Sequence, residues 1–272
     1  MGLLEHPDQF FSQYILLSGI AHLGPEKQGN PALLGKRLGI LNGSSWITAW
    51  SNYFGRLYLP GVHLVNMGNE AIQLNFMQAH ANGELCPPLV NIDRFVQYAR
   101  DLVELAKVDA VLITCSTMNR SYQKVSRALE PYKVPVIQID MPMMEKAVSL
   151  GGKILVIATH GPTVASTQEL LAMTARRARK ILKFDGLTVE KAWHKLEEGD
   201  VAGHNQALAD AIKAQPADEY SCVVLAQLSM SAFLFSFPDP LAEFNLPVLT
   251  SGQCGFEYVA KVLTNLPGAS TK

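Results

Sequence analysis

Val111-Leu112-Ile113-Thr114-Cys115 decides how this chain is read, because its phrase returns later as Val223-Val224-Leu225-Ala226-Gln227. Cys115 stands twenty positions before Pro135 in Val134-Pro135-Val136-Ile137, and Gln227 stands twenty before Pro247 in Leu246-Pro247-Val248-Leu249. Each copy reads as a short apolar strand, a polar loop, a helical stretch and a second apolar strand. The chain therefore reads as two similar βα halves facing each other, with function expected between them.

Working outward, strands are expected at Arg37–Leu41, Val62–Asn66, Ala110–Thr114 and Pro135–Ile139, with helices at Trp46–Phe54, Asp93–Lys107, Tyr122–Leu129 and Met143–Leu150. The second set has strands at Lys153–Ala158, Thr188–Trp193, Ser221–Ala226 and Pro247–Thr250, and helices at Thr167–Leu182, Val201–Ala214, Pro240–Phe244 and Phe256–Leu263. Apolar runs alternating with helices of ordinary length mark parallel sheets buried on both faces. The fold class is thus α/β, with two pseudo-symmetric doubly wound lobes and an N-terminal helical arm. Residues 1–35 form the arm, an amphipathic segment to about Leu23 and then a linker at Gly24–Pro31; 36–150 form the first lobe, completed by a C-terminal helix at 251–272; and 151–250 form the second lobe.

The composition narrows the function class. Over 272 residues, 48% hydrophobic, the net charge is −1, and basic residues are scattered apart from Arg176-Arg177-Ala178-Arg179-Lys180, which reads as a solvated helix face. Nucleic acid is not an expected partner. Cys86, Cys115, Cys222 and Cys254 form no C-x-x-C pair and no grouping with histidine, so neither a zinc site nor a disulfide framework is expected. Free thiols suit a reducing cytoplasm. The stretch Tyr14–Leu23 follows Glu5 and Asp8 without a basic segment, and no apolar run approaches a membrane span, so no membrane association is expected. Met1-Gly2 lacks the Ser or Thr of an acylation signal, His6 standing there instead.

In doubly wound sheets ligands bind beyond the carboxyl ends of the strands, where strand order reverses. The loops after strands one and three are Asn42-Gly43-Ser44-Ser45 and Cys115-Ser116-Thr117-Met118-Asn119 in the first half, and Thr159-His160-Gly161-Pro162-Thr163 and Gln227-Leu228-Ser229-Met230-Ser231 in the second. Hydroxyls, amides and backbone N–H groups at helix starts suit a carboxylate or phosphate, although the same residues are ordinary helix caps. No phosphate-binding glycine motif follows any strand. Trp46, Met118, Met230 and Phe233 could line a pocket or fill a core.

Duplicated halves with a Cys-polar-Thr loop after the third strand resemble the aspartate/glutamate/hydantoin racemase superfamily, whose members use no pyridoxal phosphate. Cys115-Ser116-Thr117 is similar to its C-N-T motif, Asn42-Gly43-Ser44 falls where relatives keep polar substrate-binding residues, and Ala158-Thr159-x-Gly161-x-Thr163 is similar to the A-T-x-G-T pattern opening the second half. The sequence departs at the second cysteine, where Ala226-Gln227-Leu228 stands in place of G-C-T. The resemblance implies a small-molecule carboxylate substrate, no cofactor and no metal. With the arm it also implies a homodimer.

Removing a proton beside a carboxylate needs a strong, desolvated base, and a thiolate serves when a helix N-terminus or a cation favours it. Cys115 is the candidate acid/base. A two-base racemase also needs a proton donor on the opposite face. Gln227 has no titratable proton and can only hydrogen-bond the substrate. His160 could replace the absent acid, being close to neutral titration, or could cap a helix; Cys254 reads more readily as a packed apolar side chain. Ser44, Ser45, Thr117 and Asn119 are the expected carboxylate contacts from the first half, and Thr159, Thr163 and Ser229 those from the second; Asn42 and Ser116 complete the set. Three readings follow: a one-thiol racemase-family enzyme acting alpha to a carboxylate, a decarboxylase of malonate-type acids similar to arylmalonate decarboxylase, and a non-catalytic carboxylate binder.

Overall fold

A computed structural model describes residues 7–18 and 30–266, and these form two compact units. Residues 1–6 and 19–29, which belong to the expected arm and its linker, and 267–272, over which the C-terminal helix was expected to extend, lie outside the described residues. In chain order the elements are α1 (Pro7–Ser18), β1 (Arg37–Leu41), α2 (Thr48–Tyr58), β2 (His63–Met67), α3 (Glu70–Ala81), α4 (Leu89–Glu104), β3 (Ala110–Ile113), α5 (Tyr122–Leu129), β4 (Val136–Gln138) and α6 (Met141–Leu150). The chain continues with β5 (Lys153–Ala158), α7 (Gly161–Arg177), β6 (Lys183–Thr188), α8 (Glu190–Glu197), α9 (Val201–Lys213), β7 (Cys222–Leu225), α10 (Phe233–Ser236), α11 (Pro240–Phe244), β8 (Val248–Thr250) and α12 (Ser251–Asn265).

The first unit, whose described parts are 7–18, 30–114, 118–137 and 256–266, is built on a parallel sheet of order β2-β1-β3-β4. Leu38 pairs with Leu64 on one side and Ala110 on the other. Every residue of β3, and β1 from Leu38 onward, is buried, as strands covered on both faces must be. The α4 helix buries Ile92, Phe95, Ala99, Leu102 and Val103, one apolar stripe at helical spacing. Gly39 of β1 makes room for it, since a Cβ there would stand 3.0 Å from Leu102 Cδ1. The arm's described helix α1 packs on α2, and Arg56 Nε donates to Leu17 O at 3.0 Å.

The second unit, Cys115–Thr117 and Gln138–Gly255, carries the parallel sheet β6-β5-β7-β8. Its period-two pattern divides the core between two faces: Leu155, Ile157, Val223 and Leu225 face α9, while Ile154, Val156, Cys222 and Val224 face α6 and α7. Met143, Met144, Ala147 and Val148 of α6 belong to that second layer, so this helix, grouped by sequence with residues 36–150, packs in the second unit, which begins at 138. α12 starts in the second unit and runs into the first from Phe256.

Two sequence expectations are corrected here. The strand expected at Thr188–Trp193 is β6 at Lys183–Thr188, followed at once by α8. β6 is an edge strand, and Lys-Phe-Asp-Gly-Leu-Thr shows no apolar run because one side of it meets water. The helix expected at Thr167–Leu182 begins at Gly161, directly after β5, and ends at Arg177. Beyond it Arg179 takes φ +56° and the exposed Lys180 Nζ donates 2.9 Å bonds to Val148 O and Ser149 O, closing the carbonyl end of α6. The basic run is exposed throughout, and its last residue serves a helix end. Among the described residues no helix is long and apolar enough to cross a membrane.

Candidate active site

Asn42 ends β1 and is buried, and all four hydrogen-bonding positions of its amide are taken up by its own fold. Its Oδ1 accepts from Ser51 Oγ at 2.7 Å and Thr114 Oγ1 at 2.6 Å; its Nδ2 donates to Asn66 Oδ1 at 2.9 Å and, weakly, to Thr48 Oγ1 at 3.4 Å. Asn66 Nδ2 in turn donates to Asn52 Oδ1 at 2.7 Å. The network ties β1, β2, α2 and the end of β3 together. Expected at the substrate, Asn42 instead anchors the loops around it.

The next loop residues are also engaged. Ser45 N–H donates to Glu70 Oε1 at 2.9 Å and the Ser45 hydroxyl donates to the same oxygen, so a carboxylate of the chain already sits where Ser45 was expected to meet one from a substrate. The Ser45 hydroxyl is the main reason that Glu70 is held below the usual carboxylate range. Ser44 is buried against Gly68, where a Cβ would lie 2.7 Å from Ser44 O. Backbone cannot yield at that distance, so the close approach of the two loops requires glycine. Glu70 opens α3, and the start of that helix is marked in the sequence by Asn69, whose Oδ1 accepts from Ala71 N at 2.9 Å.

Cys115 follows β3 and opens a 3-10 turn, Ser116–Ser121. Its side chain is half-buried and its Sγ lies 3.1 Å from Thr117 Oγ1. The turn is fixed by Ser121 Oγ, which donates to Met118 O at 2.7 Å, and by Arg120 Nη1, which donates to Cys86 O at 2.9 Å. Ser116 and Asn119 are half-buried on the same turn. Met118 is buried in the core, as are Met230 and Phe233; Trp46 remains partly exposed and donates Nε1 to Gln73 Oε1 at 3.3 Å.

In the second sheet Thr159, at the end of β5, donates both its N–H at 2.8 Å and its hydroxyl at 2.9 Å to Oε1 of Gln227, which follows β7. The two strands are neighbours, so sheet order makes this pairing. His160 precedes α7 and meets Trp193 of α8 edge-on, ring centroids 4.7 Å apart. Burial pulls its pKa below the usual histidine value, against the opposing charges of Glu197 and Glu190. Trp193, read by sequence as the end of a strand, lies instead in α8 as the aromatic neighbour of His160. Thr163 and Ser229 are buried in the first turn of α7 and in the 3-10 turn after β7.

Cys115, Ser116, Thr117, Thr159, His160, Thr163, Gln227 and Ser229 fall in one compact unit, whereas Asn42, Ser44, Ser45 and Asn119 fall in the other. Cys254 is buried in the layer holding Leu249, and Cys222 beside it is pushed up to about 12 by burial, leaving it a thiol at neutral pH. Among the described residues no group of three His, Cys, Asp or Glu side chains could hold a metal ion.

No curated protein matches this chain. Among solved structures it is similar to Picrophilus torridus aspartate racemase, at 15% identity over 84% of this chain and 94% of that one, with TM-score 0.62. It is also similar to an aspartate racemase homologue from Pyrococcus horikoshii OT3 (14%, 85% and 100%, TM-score 0.61) and to allantoin racemase from Klebsiella pneumoniae (18%, 84% and 88%, TM-score 0.58). At these identities the likeness establishes the two-sheet fold. The family model described as Asp/Glu/Hydantoin racemase matches residues 76–259, a stretch that holds Cys115, His160 and Gln227. The chain therefore belongs to the Asp/Glu/hydantoin racemase family.

Proposed function

We propose that this protein is a cofactor-independent enzyme acting at the carbon alpha to a carboxylate, with Cys115 as its one thiol acid/base. The observation that carries this reading is that Cys115, half-buried beside a hydroxyl, belongs to the same compact unit as Gln227, the residue standing where the motif's second thiol would be. In the thiolate form the Thr117 hydroxyl donates to the sulfur and favours the charge, as hydrogen bonds to an anion do. The thiolate takes the α-proton, and the electron pair of the broken C–H bond passes into the carboxylate as an enediolate. The thiol then returns a proton to the same face. Ser116, Thr163 and Ser229 offer hydroxyls to the carboxylate.

With an amide in place of the second thiol, chemistry is confined to one face. That supports a second use of the same thiol, decarboxylation of a malonate-type acid: the C–C bond breaks, carbon dioxide leaves, its electron pair forms the enediolate, and Cys115 protonates the carbon and recovers its proton balance from water. Incubation in deuterated water with each enantiomer of aspartate, glutamate and a 5-substituted hydantoin, and with phenylmalonate, separates the uses. Exchange of one enantiomer without loss of optical rotation marks the isomerase-type half reaction, and carbon dioxide release marks the decarboxylase. Both must vanish in Cys115→Ser; undiminished turnover in that variant would leave a role for the chain without this thiol.

We also read the enzyme as a homodimer. α1, only twelve residues long, holds Phe10, Phe11, Tyr14 and Leu16 exposed, and a helix of that length is marginal in water unless something covers it. Light scattering on the full chain and on a truncation lacking residues 1–18 tests this, and an unaltered monomeric mass in both ends it.

A further inference from the structure

The orientation of the Gln227 amide is dictated by Thr159. A backbone N–H can only donate, so the Gln227 atom 2.8 Å from Thr159 N is the oxygen, and the Thr159 hydroxyl 2.9 Å away supplies that oxygen's second bond. Oε1 is thereby saturated and the amide cannot flip without breaking both bonds. Its Nε2, with two N–H groups, faces away from Thr159. Among the described residues no side chain or carbonyl accepts from it, and it is not among the buried polar atoms lacking a partner, so solvent reaches it.

We propose that Gln227 is a fixed oxyanion donor and Thr159 the residue that positions it. This rests on the one-thiol reading above and assigns the other half of that site. A donor held in place before substrate arrives loses no rotamer freedom at the moment of reaction, which is why preorganised N–H groups are effective where charge develops. The charge that develops when Cys115 removes or delivers a proton is on the carboxylate oxygens of the enediolate. Two outward N–H groups also state what the ligand presents at this point. It is an acceptor oxygen of a carboxylate or carbonyl and never an ammonium, whose hydrogens would oppose them. Thr159, expected by sequence to touch the substrate, is buried and acts through Gln227.

The probe is malonate, read on the side-chain amide signals of uniformly 15N-labelled protein. The Gln227 NH2 pair is identified by its disappearance in Gln227→Glu, a variant whose carboxylate still accepts both Thr159 bonds and so retains the loop. Malonate is expected to move that pair downfield in the parent protein and to bind Gln227→Glu at least tenfold more weakly, since a donor has become a negative charge. Thr159→Val removes only the hydroxyl and should weaken malonate by roughly fivefold to tenfold, yet change nothing further when added to Gln227→Ala. A merely structural threonine would weaken both backgrounds alike, and that result overturns the positioning role. Signals unmoved by saturating malonate overturn the donor role. Cys115→Ser separates the two levels: loss of deuterium exchange with the malonate shift intact supports both, while retained exchange removes the thiol reading and leaves the amide result to stand on its own.

Discussion

Replacing Asn42 by alanine should destabilise the first unit by about 3–5 kcal/mol. The side chain is 1% exposed and takes part in three good hydrogen bonds and one long one. Each good bond contributes about 1 kcal/mol net. Truncation also strands the hydroxyl of Ser51, which is 0% exposed and cannot turn to water, whereas that of Thr114 falls back on its 3.1 Å bond to Leu41 O. An unsatisfied buried group costs about 1–3 kcal/mol, and the cavity adds to it. Asn42→Asp is the informative partner: it keeps both acceptances from Ser51 and Thr114 but puts an acceptor against Asn66 Oδ1, so the Asn66 and Asn52 amides must both reverse, and its loss should fall between parent and alanine. Urea unfolding followed by two probes, one for each unit where their transitions separate, gives the difference. A loss below about 1 kcal/mol for Asn42→Ala at unchanged slope would refute the claim that this amide knots the strand ends. Because Thr114 immediately precedes Cys115, exchange activity should fall in the alanine variant even at temperatures where it is fully folded.

Installing the absent thiol by Gln227→Cys should convert one-enantiomer exchange into slow racemisation, detectable as loss of optical rotation; exchange that remains confined to one enantiomer argues that position 227 does not face the reacting carbon. His160 and His204 are both held below the usual histidine value near 6.5, chiefly by burial, and His204 Nδ1 donates to Ala192 O at 2.8 Å. Groups whose folded pKa is depressed contribute stability that is present above the unfolded value and lost as pH falls through the folded one. Unfolding free energy should therefore decline between pH 7 and pH 5, above the range where Glu70 and Asp185 act, and His204→Asn should flatten that slope; an unchanged slope removes His204 from the account. Iodoacetamide should alkylate the half-buried Cys115 and Cys86 in the native state while sparing Cys222 and Cys254 until urea is added, and mass spectrometry finding Cys222 modified first would contradict its burial.

Most of the first sheet and much of the second could be read from residues alone. β1, β5, α5 and α11 begin and end where periodicity and turn residues put them, because central strands of a parallel sheet are continuous apolar runs and a half-buried helix keeps its stripe. α3 and α8 escaped the same reading: α3 buries only Ile72 and Ala79, and α8 only Ala192, so neither carries a stripe. β6 escaped because an edge strand need not be apolar.

The sequence by itself determined which polar residues follow each strand, that Cys115 and Gln227 hold equivalent places in its two copies, and that the repeat makes two parallel sheets. Hydrogen-bond partners were decided only by tertiary structure. Asn42 finds Asn66, Ser45 finds Glu70 and Thr159 finds Gln227 across separations of 24, 25 and 68 residues. The physical reason is that in a parallel sheet the loops made adjacent belong to neighbouring strands, with a whole crossover helix between them in the chain. A residue type announces what it can donate or accept. Only the fold says whether that capacity is filled on every side, as in Asn42, or on one side alone, as in Gln227, whose Oε1 is taken up by Thr159.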